Sequence, residues 1–196
     1  MPAQDPRDQT LIDYCRRHEV PAVLPDTIEA GDAWGANCGP MSLAAVLGLP
    51  TVEAARELVQ PFRGFMSPTD MRAAVGKACD RRLCRYLGRA TLAVGDPYPW
   101  PEPGVLSLVR IQWLGPWCGP GVNPRAAYRY THFVGARRGV PEDGRQPFPH
   151  EPGAVFIYDA TPNRWVPLAQ WSAWCPTLWP KRATGWAPVT RIDVHQ

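Results

Sequence analysis

The pattern of apolar positions divides the chain into a helical first half and a strand-rich second half. The run Met41-Ser42-Leu43-Ala44-Ala45-Val46-Leu47 is apolar nearly all round, which is typical of a buried central helix, and it stops at Gly48. Thr51 can cap a second helix over residues 52–60. Ser67, followed by proline and with Asp70 three residues on, predicts a capping box and a third helix reaching about residue 79. A short helix is also expected over residues 9–19.

After residue 82 the pattern changes to short β-branched and apolar runs separated by glycine and proline. The longest run is 105–113, which is the best strand candidate of the chain. The predicted strands are 84–87, 91–94, 105–113, about 130–137, 154–158 and 188–194. Helices followed by consecutive strands, instead of alternating with them, predict an α+β fold with an antiparallel sheet. We expect a single domain, with residues 1–25 as an N-terminal extension, 30–80 as the helical half and 83–196 as the sheet half, including a Trp/Pro-rich C-terminal segment.

Composition and charge restrict the classes of protein. The 196 residues include 24 prolines, roughly twice the usual ~5% share, so loops and short strands must be frequent. The net charge of +3 is small, and the arginines lack interleaved aromatics or a recognisable module, so no nucleic-acid partner is expected. No run approaches the ~18 apolar residues of a membrane span, and the opening residues have no apolar core of a signal peptide. The prediction is therefore a cytoplasmic protein with reduced thiols and no membrane partner.

Cys38 is the first candidate for chemistry. It stands at the start of the central helix, where the helix dipole favours a thiolate over a thiol and free backbone N–H groups can receive an oxyanion. Such a placement is typical of a nucleophile on a rigid element. The competing interpretation is a buried structural cysteine, since free cysteines are among the most buried residues. Cys118 repeats the Cys-Gly-Pro triplet, but Gly121 and Pro124 follow, so no helix can begin there.

His132 and Asp159 complete a possible triad. His132 opens one predicted strand and Asp159 closes a later one, and the two ends are adjacent if the strands are antiparallel neighbours. A histidine can take the thiol proton and return it to a leaving group, while a carboxylate fixes the imidazole tautomer. Each residue alone has a structural explanation, because His132 can be a satisfied core histidine and Asp-Ala-Thr-Pro is a good turn. Only their joint placement with Cys38 favours catalysis.

These motifs resemble the papain-like superfamily of cysteine peptidases. The resemblance rests on Asn37-Cys38-Gly39-Pro40, on Thr131-His132-Phe133-Val134, and on Val155-Phe156-Ile157-Tyr158-Asp159-Ala160. The pattern is closest to the compact bacterial branch typified by bacteriocin-leader peptidases. A looser similarity to small phage-encoded members rests on residues 66–74. The resemblance implies Cys38 as nucleophile, His132 as general base and acid, Asp159 as its orienter, and a papain-like fold in which the Cys-bearing helix packs on the sheet.

One position departs from the family's pattern. The oxyanion-hole glutamine usually lies six residues before the cysteine, and here that place holds Asp32, whose charge would oppose an oxyanion. Asn37 is the nearest side-chain amide, so Asn37 and Asp32 define the predicted oxyanion region. Trp34 and Gly39, which flank the nucleophile, are predicted to contact the substrate. No metal ligands at a recognised spacing are found, and no cofactor is expected.

Three functions remain open at this point. The first is a thiol hydrolase that cleaves a peptide, isopeptide or related amide, with a peptide or protein as substrate. The second is a catalytically impaired fold serving as a binding or phage virion-associated protein, which Asp32 favours. The third is a thiol acyltransferase using the same residues. The tryptophans near the C-terminus predict either a satellite core over the sheet or a docking surface for a protein partner: Trp165, Trp171, Trp174, Trp179 and Trp186.

Overall fold

A computed structural model gives an α+β fold in which helices pack on an antiparallel sheet. The structure describes residues 38–60, 66–79, 84–87, 98, 100–123, 126, 129–139, 154–161, 163–178, 180 and 182–195. The predicted helix over 9–19 and the predicted strand over 91–94 lie outside these ranges. The α+β prediction, with a helical half followed by an antiparallel sheet, is confirmed at this level of detail. The division into a single domain with an N-terminal extension stays a prediction.

The first three helices begin and end where local sequence signals place them. They are α1 (Cys38–Leu47), α2 (Val52–Leu58) and α3 (Pro68–Ala78). Thr51 accepts a hydrogen bond from the backbone of Ala54, and Ser67 and Asp70 form the predicted capping box. The end of α1 is fixed by Gly48, whose φ of 65° is a left-handed conformation that glycine adopts without strain.

Within the described ranges the sheet has six strands, and every neighbouring pair is antiparallel. The spatial order is β1-β6-β2-β3-β4-β5, so the last strand lies between the first and the second. Their bounds are β1 (Cys84–Leu87), β2 (Val105–Leu114), β3 (Thr131–Arg138), β4 (Val155–Asp159), β5 (Arg164–Pro167) and β6 (Gly185–His195).

Two elements near the C-terminus were not predicted. They are the short strand β5 and the helix α4 (Leu168–Trp174), which continues into a 3₁₀ turn at Cys175–Leu178. Strand β6 also begins three residues earlier than expected, at Gly185. It continues past Pro188 because the pairing with β2 shifts register there, with Ile111 opposite Pro188 and Arg110 opposite Thr190. A bulge of this kind accommodates a residue that has no N–H to donate.

The two faces of the sheet pack against different partners. One face, which we call the helical face, contacts α1, α2 and α3. Its buried side chains include Leu108, Phe133, Phe156, Tyr158, Trp165, Ile192 and Val194. The other, which we call the tryptophan face, contacts α4. Its core contains Val109, Ile111, Trp113, Val134, Ala136, Ile157 and Val166 together with Trp171, Trp174 and Cys175. Because successive strand residues point to opposite faces, the sheet is buried on both sides.

Among the described residues, no single helix has the length and apolar composition needed to cross a membrane. The helices α1 and α2 meet that test only when taken together, and they are bent by 100° relative to each other.

Candidate active site

Helix α1 carries the candidate nucleophile in its first turn. Cys38 is the first residue of α1, where backbone N–H groups have no partner within the helix and the dipole is positive. Pro40 is tolerated two residues later for the same reason. Cys38 itself is half-buried and packs against the core of the helical face. The sequence therefore places a sulfur at a rigid helix start, as predicted.

Two strands bring a histidine and a carboxylate to the same end of the sheet. His132 is the second residue of β3, and Asp159 is the last of β4. The His132 Nε2 and Asp159 Oδ2 atoms lie 3.0 Å apart. The Asp159 side chain is fully buried, while 14% of the His132 side chain is exposed. This pairing is the one expected from the order of the strands.

The Asp159 carboxylate accepts hydrogen bonds from two further groups besides His132. Its Oδ2 also accepts a hydrogen bond of 2.9 Å from Trp171 Nε1 on α4, and its Oδ1 accepts one of 2.9 Å from the backbone N–H of Thr161. The second bond closes the predicted turn, so Asp159 is both a turn former and the partner of the histidine. Three donors around one buried carboxylate favour its ionised form.

His132 and the backbone of Phe133 both act on the Cys38 thiol and favour its charged form. Since Asp159 occupies Nε2 of the imidazole, the ring nitrogen left for the sulfur is Nδ1. Burial by itself would raise the pKa of Cys38. The charge of His132 and the hydrogen bonds from His132 and Phe133 outweigh that effect, so the pKa of the thiol is lowered.

The two partners shift in the directions that an ion pair requires. Burial would lower the pKa of His132, but the charges of Asp159 and Cys38 raise it well above its ordinary value. Burial would raise the pKa of Asp159, but His132 and the donated hydrogen bonds lower it. Together these shifts favour a thiolate, an imidazolium and a carboxylate in sequence, relative to the same side chains in water. A thiolate is the nucleophilic form of cysteine.

These side chains come from both faces of the sheet and meet at one end of its strands. His132 alternates with Val134, and Asp159 with Ile157, so both belong to the tryptophan face. Cys38 packs against the core of the helical face. The described pairing of β4 with β3 runs over Gly135–Arg138, so His132 lies beyond the paired part of β4.

Three contributors to this arrangement were not predicted as site residues. Trp171 holds Asp159, as described above. Trp113 lies behind the imidazole, with the two rings 19° from parallel and their centroids 6.2 Å apart. Ser42 is fully buried on α1 and donates a hydrogen bond of 3.0 Å to the backbone carbonyl of Phe133. The tryptophan cluster was a signal for Trp171. A serine inside an otherwise apolar helix was the signal for the third.

The tryptophan cluster packs as a core in the part that the structure describes. Trp165, Trp171 and Trp174 are at most 4% exposed. Trp171 and Trp186 meet edge to face with ring centroids 5.1 Å apart. Trp179 lies outside the described residues. The satellite core over the sheet is therefore observed at Trp171, Trp174 and Trp186, while Trp165 packs in the core of the helical face. A role of this segment in binding a protein partner stays a prediction.

The predicted oxyanion region lies outside the described residues. This holds for Asp32 and Asn37, and also for Trp34, one of the two predicted substrate contacts. The other, Gly39, is buried, and an added Cβ there would approach the Met66 sulfur to 2.7 Å. Its glycine identity thus has a packing reason, because Met66 crosses the start of α1. Substrate contact by Gly39 stays a prediction.

The remaining described cysteines take no part in the site. Cys38, Cys79, Cys118 and Cys175 are not joined by disulfide bonds. Cys118 is exposed on a 3₁₀ turn, and Cys175 is buried below α4. Within the described ranges, no group of three or more His, Cys, Asp or Glu side chains is placed to hold a metal ion.

Comparison of the chain with protein-family models, with curated proteins and with solved structures gave no match.

Proposed function

We propose that this protein is a papain-like cysteine hydrolase that cleaves a peptide, isopeptide or related amide. The observation that carries the proposal is the grouping of Cys38, His132 and Asp159 from three different elements, in which His132 Nε2 lies 3.0 Å from Asp159 Oδ2 and the charge of His132 acts on the Cys38 thiol. The pKa directions add support, because a lowered thiol and a raised imidazole pKa favour the thiolate–imidazolium pair. The papain-like fold is part of the same proposal, supported by the nucleophile on a helix start and the other two residues on antiparallel strands.

In the proposed reaction the Cys38 thiolate attacks the carbonyl carbon of the scissile bond. The imidazolium of His132 then gives its proton to the leaving amine as the carbon–nitrogen bond breaks, which leaves a thioester on the sulfur. In the second half His132 takes a proton from water as the water oxygen attacks the thioester carbon. The carbon–sulfur bond then breaks, the carboxylic acid leaves, and the Cys38 thiolate and His132 imidazolium are restored. Asp159 keeps the imidazole oriented and stabilises its charged form, with Trp171 and Thr161 holding the carboxylate.

The test is acylation of Cys38 by an activated acyl ester, followed by intact mass and peptide mapping. We expect one acyl group on Cys38 of the wild-type protein and its loss on standing in water. Cys38→Ala should not acquire the group, while Cys175→Ala, which removes another cysteine from the core, should acquire it as the wild type does. Acylation at exposed Cys118 instead of Cys38 would contradict the proposal.

The same experiment separates the two other functions. An acyl group that water leaves in place, but that added amine nucleophiles remove, indicates a thiol acyltransferase. No acylation, together with iodoacetamide labelling of Cys38 at pH 6 no faster than that of Cys118, indicates a binding or virion-associated protein with an impaired site. The cytoplasmic location belongs to the hydrolase proposal and stays a prediction.

The oxyanion region has its own test. If Asp32 faces the reaction centre, Asp32→Gln should raise turnover, since one good oxyanion donor is worth about 10²–10³ in rate. Cys38→Ala should remove that gain. Unchanged or lower turnover in Asp32→Gln would instead assign the oxyanion to Asn37 and the backbone N–H of Cys38.

A further inference from the structure

Ser42 is the one polar side chain within α1, between the candidate nucleophile and the end of the helix. It is 0% exposed, and its neighbours on the helix are apolar. A serine in a helix interior is intrinsically no better than neutral, and burying its hydroxyl costs free energy unless the hydroxyl finds a partner. That partner is the carbonyl of Phe133 on β3, 91 positions away in sequence. The Ser42 hydroxyl therefore links α1 to β3 and does not bond within its own helix.

The position of Phe133 explains why this connection is available. Trp113 donates its backbone N–H to the carbonyl of Tyr130 at 2.8 Å, so the pairing of β2 with β3 begins there. In an antiparallel ladder, alternate residues direct their N–H and C=O groups to the same neighbour. His132 is then turned toward β2, and Phe133 toward the side where β4 lies. The described pairing of β4 with β3 starts two residues later, at Gly135.

Two side chains of α1 act on the backbone of Phe133. Ser42 donates its hydroxyl to the Phe133 carbonyl, and the Phe133 backbone lowers the pKa of the Cys38 thiol. Cys38 and Ser42 are four residues apart, so both side chains lie on one face of the helix, one turn from each other. A single strand residue is thus linked to both the serine and the candidate nucleophile of the same helix.

We propose that Ser42 is a positioning residue whose hydroxyl fixes α1 along the edge of β3, so that the Cys38 sulfur is held against the His132 ring. This role rests on the proposed function, since it concerns the alignment of the same nucleophile and base. Ser42 acts through Cys38 and Phe133. The titratable groups whose charges act on the sulfur are His132 on β3 and Asp159 at the end of β4.

The test is the pH dependence of Cys38 alkylation by iodoacetamide, measured by peptide mapping on the full chain. In Ser42→Ala the carbonyl of Phe133 loses its donor, and α1 can slide relative to β3. We expect the alkylation midpoint to rise by about 0.5–1 pH unit, which lowers the rate at pH 6 about three- to tenfold. A purely structural serine would leave this midpoint where it is.

Ser107→Ala is the matched control. Ser107 is also 0% exposed, but its hydroxyl bonds to Asp193 between β2 and β6, at 2.6 Å. This variant should lower the free energy of unfolding and leave the alkylation midpoint within about 0.2 pH unit of the wild type. An equal shift in both variants would overturn the proposal, as would an unshifted midpoint in Ser42→Ala.

Ser42→Thr and Ser42→Val are a second pair with side chains of the same shape, and they keep the proposal testable if Ser42→Ala does not fold. The threonine retains the hydroxyl and the valine lacks it, so only the valine should shift the midpoint. Equal midpoints in the two would overturn the proposal. If the proposed function is wrong, the wild-type protein shows neither acylation of Cys38 nor an acid-shifted alkylation midpoint. That result would also overturn the positioning role of Ser42. An acylated wild type with no effect at Ser42 removes the positioning role alone.

Discussion

The two faces of the sheet stabilise the candidate site in different ways. On the helical face, capped helices pack aliphatic and aromatic side chains, and α1 delivers the sulfur through its first turn. On the tryptophan face, large aromatic rings surround a buried carboxylate and a histidine. Trp171 binds the carboxylate directly, and Trp113 backs the imidazole. One face thus supplies the candidate nucleophile, and the other supplies the groups that lower the pKa of its thiol.

The comparison shows that the lowered pKa of the Cys38 thiol depends on contacts between residues of the two faces. A helix start alone favours a thiolate only modestly, because the dipole effect is worth about 0.3–1 kcal/mol. Burial works against the charged sulfur. The lowered pKa of Cys38 therefore depends on His132, which the tryptophan face holds in its charged form. Variants on the two faces should separate these contributions.

The largest effect is expected from His132→Ala. Without the imidazolium, burial should dominate and raise the pKa of Cys38 above its ordinary value. The rate of Cys38 alkylation at pH 6 should fall about 10²-fold or more, since each pKa unit changes the thiolate fraction tenfold. Alkylation of exposed Cys118 in the same sample is the internal control and should not change. An unaltered rate of Cys38 alkylation at pH 6 would contradict this prediction, because it would show that His132 does not affect the thiol.

The next effect is expected from Asp159→Asn, which removes the charge and keeps the shape. Cys38 alkylation at pH 6 should fall about tenfold, because His132 loses the charge that raises its pKa. The free energy of unfolding should fall by about 2 kcal/mol or more, as breaking a buried pair leaves groups without compensation.

The pH dependence of that loss follows from the two shifts. The pKa of Asp159 is lowered, so its contribution is full above the ordinary carboxyl value of about 4 and is lost as the pH falls through the folded value. The pKa of His132 is raised, so its contribution is full below about 6.5 and is lost as the pH rises through the folded value. Denaturant unfolding of wild type and variant should therefore differ most between about pH 4 and 6.5. A difference that grows steadily toward high pH would contradict the pairing.

A smaller effect is expected from the two tryptophans of α4, which form a matched pair. Trp171 and Trp174 are both almost fully buried, but only Trp171 donates to Asp159, whereas the Trp174 indole N–H has no partner among the described contacts. Trp171→Phe should cost about 1.5–3 kcal/mol through the lost bond to a charged group, in addition to packing. Trp174→Phe should cost only the packing. Equal losses in chemical denaturation would mean that the tryptophan face acts through volume alone.

The smallest effects concern two glycines where α1 meets its neighbours. An added Cβ at Gly135 would lie 3.1 Å from the Tyr158 Cβ and 3.2 Å from a Val46 methyl, neither of which can move far. Gly135→Ala should therefore lower the free energy of unfolding by about 1–2 kcal/mol. At Gly39 an added Cβ would lie 2.7 Å from the Met66 sulfur, so that side chain must move, but the helix preference of alanine offsets part of the cost. Gly39→Ala should therefore lower the free energy of unfolding by less than Gly135→Ala does. Thermal unfolding of both variants checks the contrast.

The sequence predicted the helix starts best, because a helix cap depends on residues close together in the chain. The caps at Thr51, Ser67 and Asp70 depend on residues three apart, and the structure has them as predicted. The sequence did not predict α4, because prolines follow it closely, and it did not predict β5, because a strand of four residues gives little pattern. A turn signal for the β4–β5 hairpin was present, because Asn163 takes a left-handed φ of 50° that asparagine tolerates.

The site was predictable to the extent that chain order reflects topology. Cys38, His132 and Asp159 could be grouped because a helix start, a strand start and a strand end have defined places in an antiparallel fold. Trp171 and Ser42 could not be assigned, because the partner of an indole N–H or a hydroxyl depends on which distant element packs against it. Sequence order does not carry that information.

The place of β6 has a consequence for how the chain reaches this structure. Because β6 lies between β1 and β2, Cys84 pairs with Val194, and β1 has no neighbour in the described sheet until β6 has formed. Contacts this far apart in sequence close a large loop, which slows folding. The hairpins β2–β3, β3–β4 and β4–β5 are local and can form first, so His132 and Asp159 can be assembled before the outer strand is in place. Kinetic intermediates of this chain should therefore already contain the base and its carboxylate while β1 is still exchanging its amide protons with solvent.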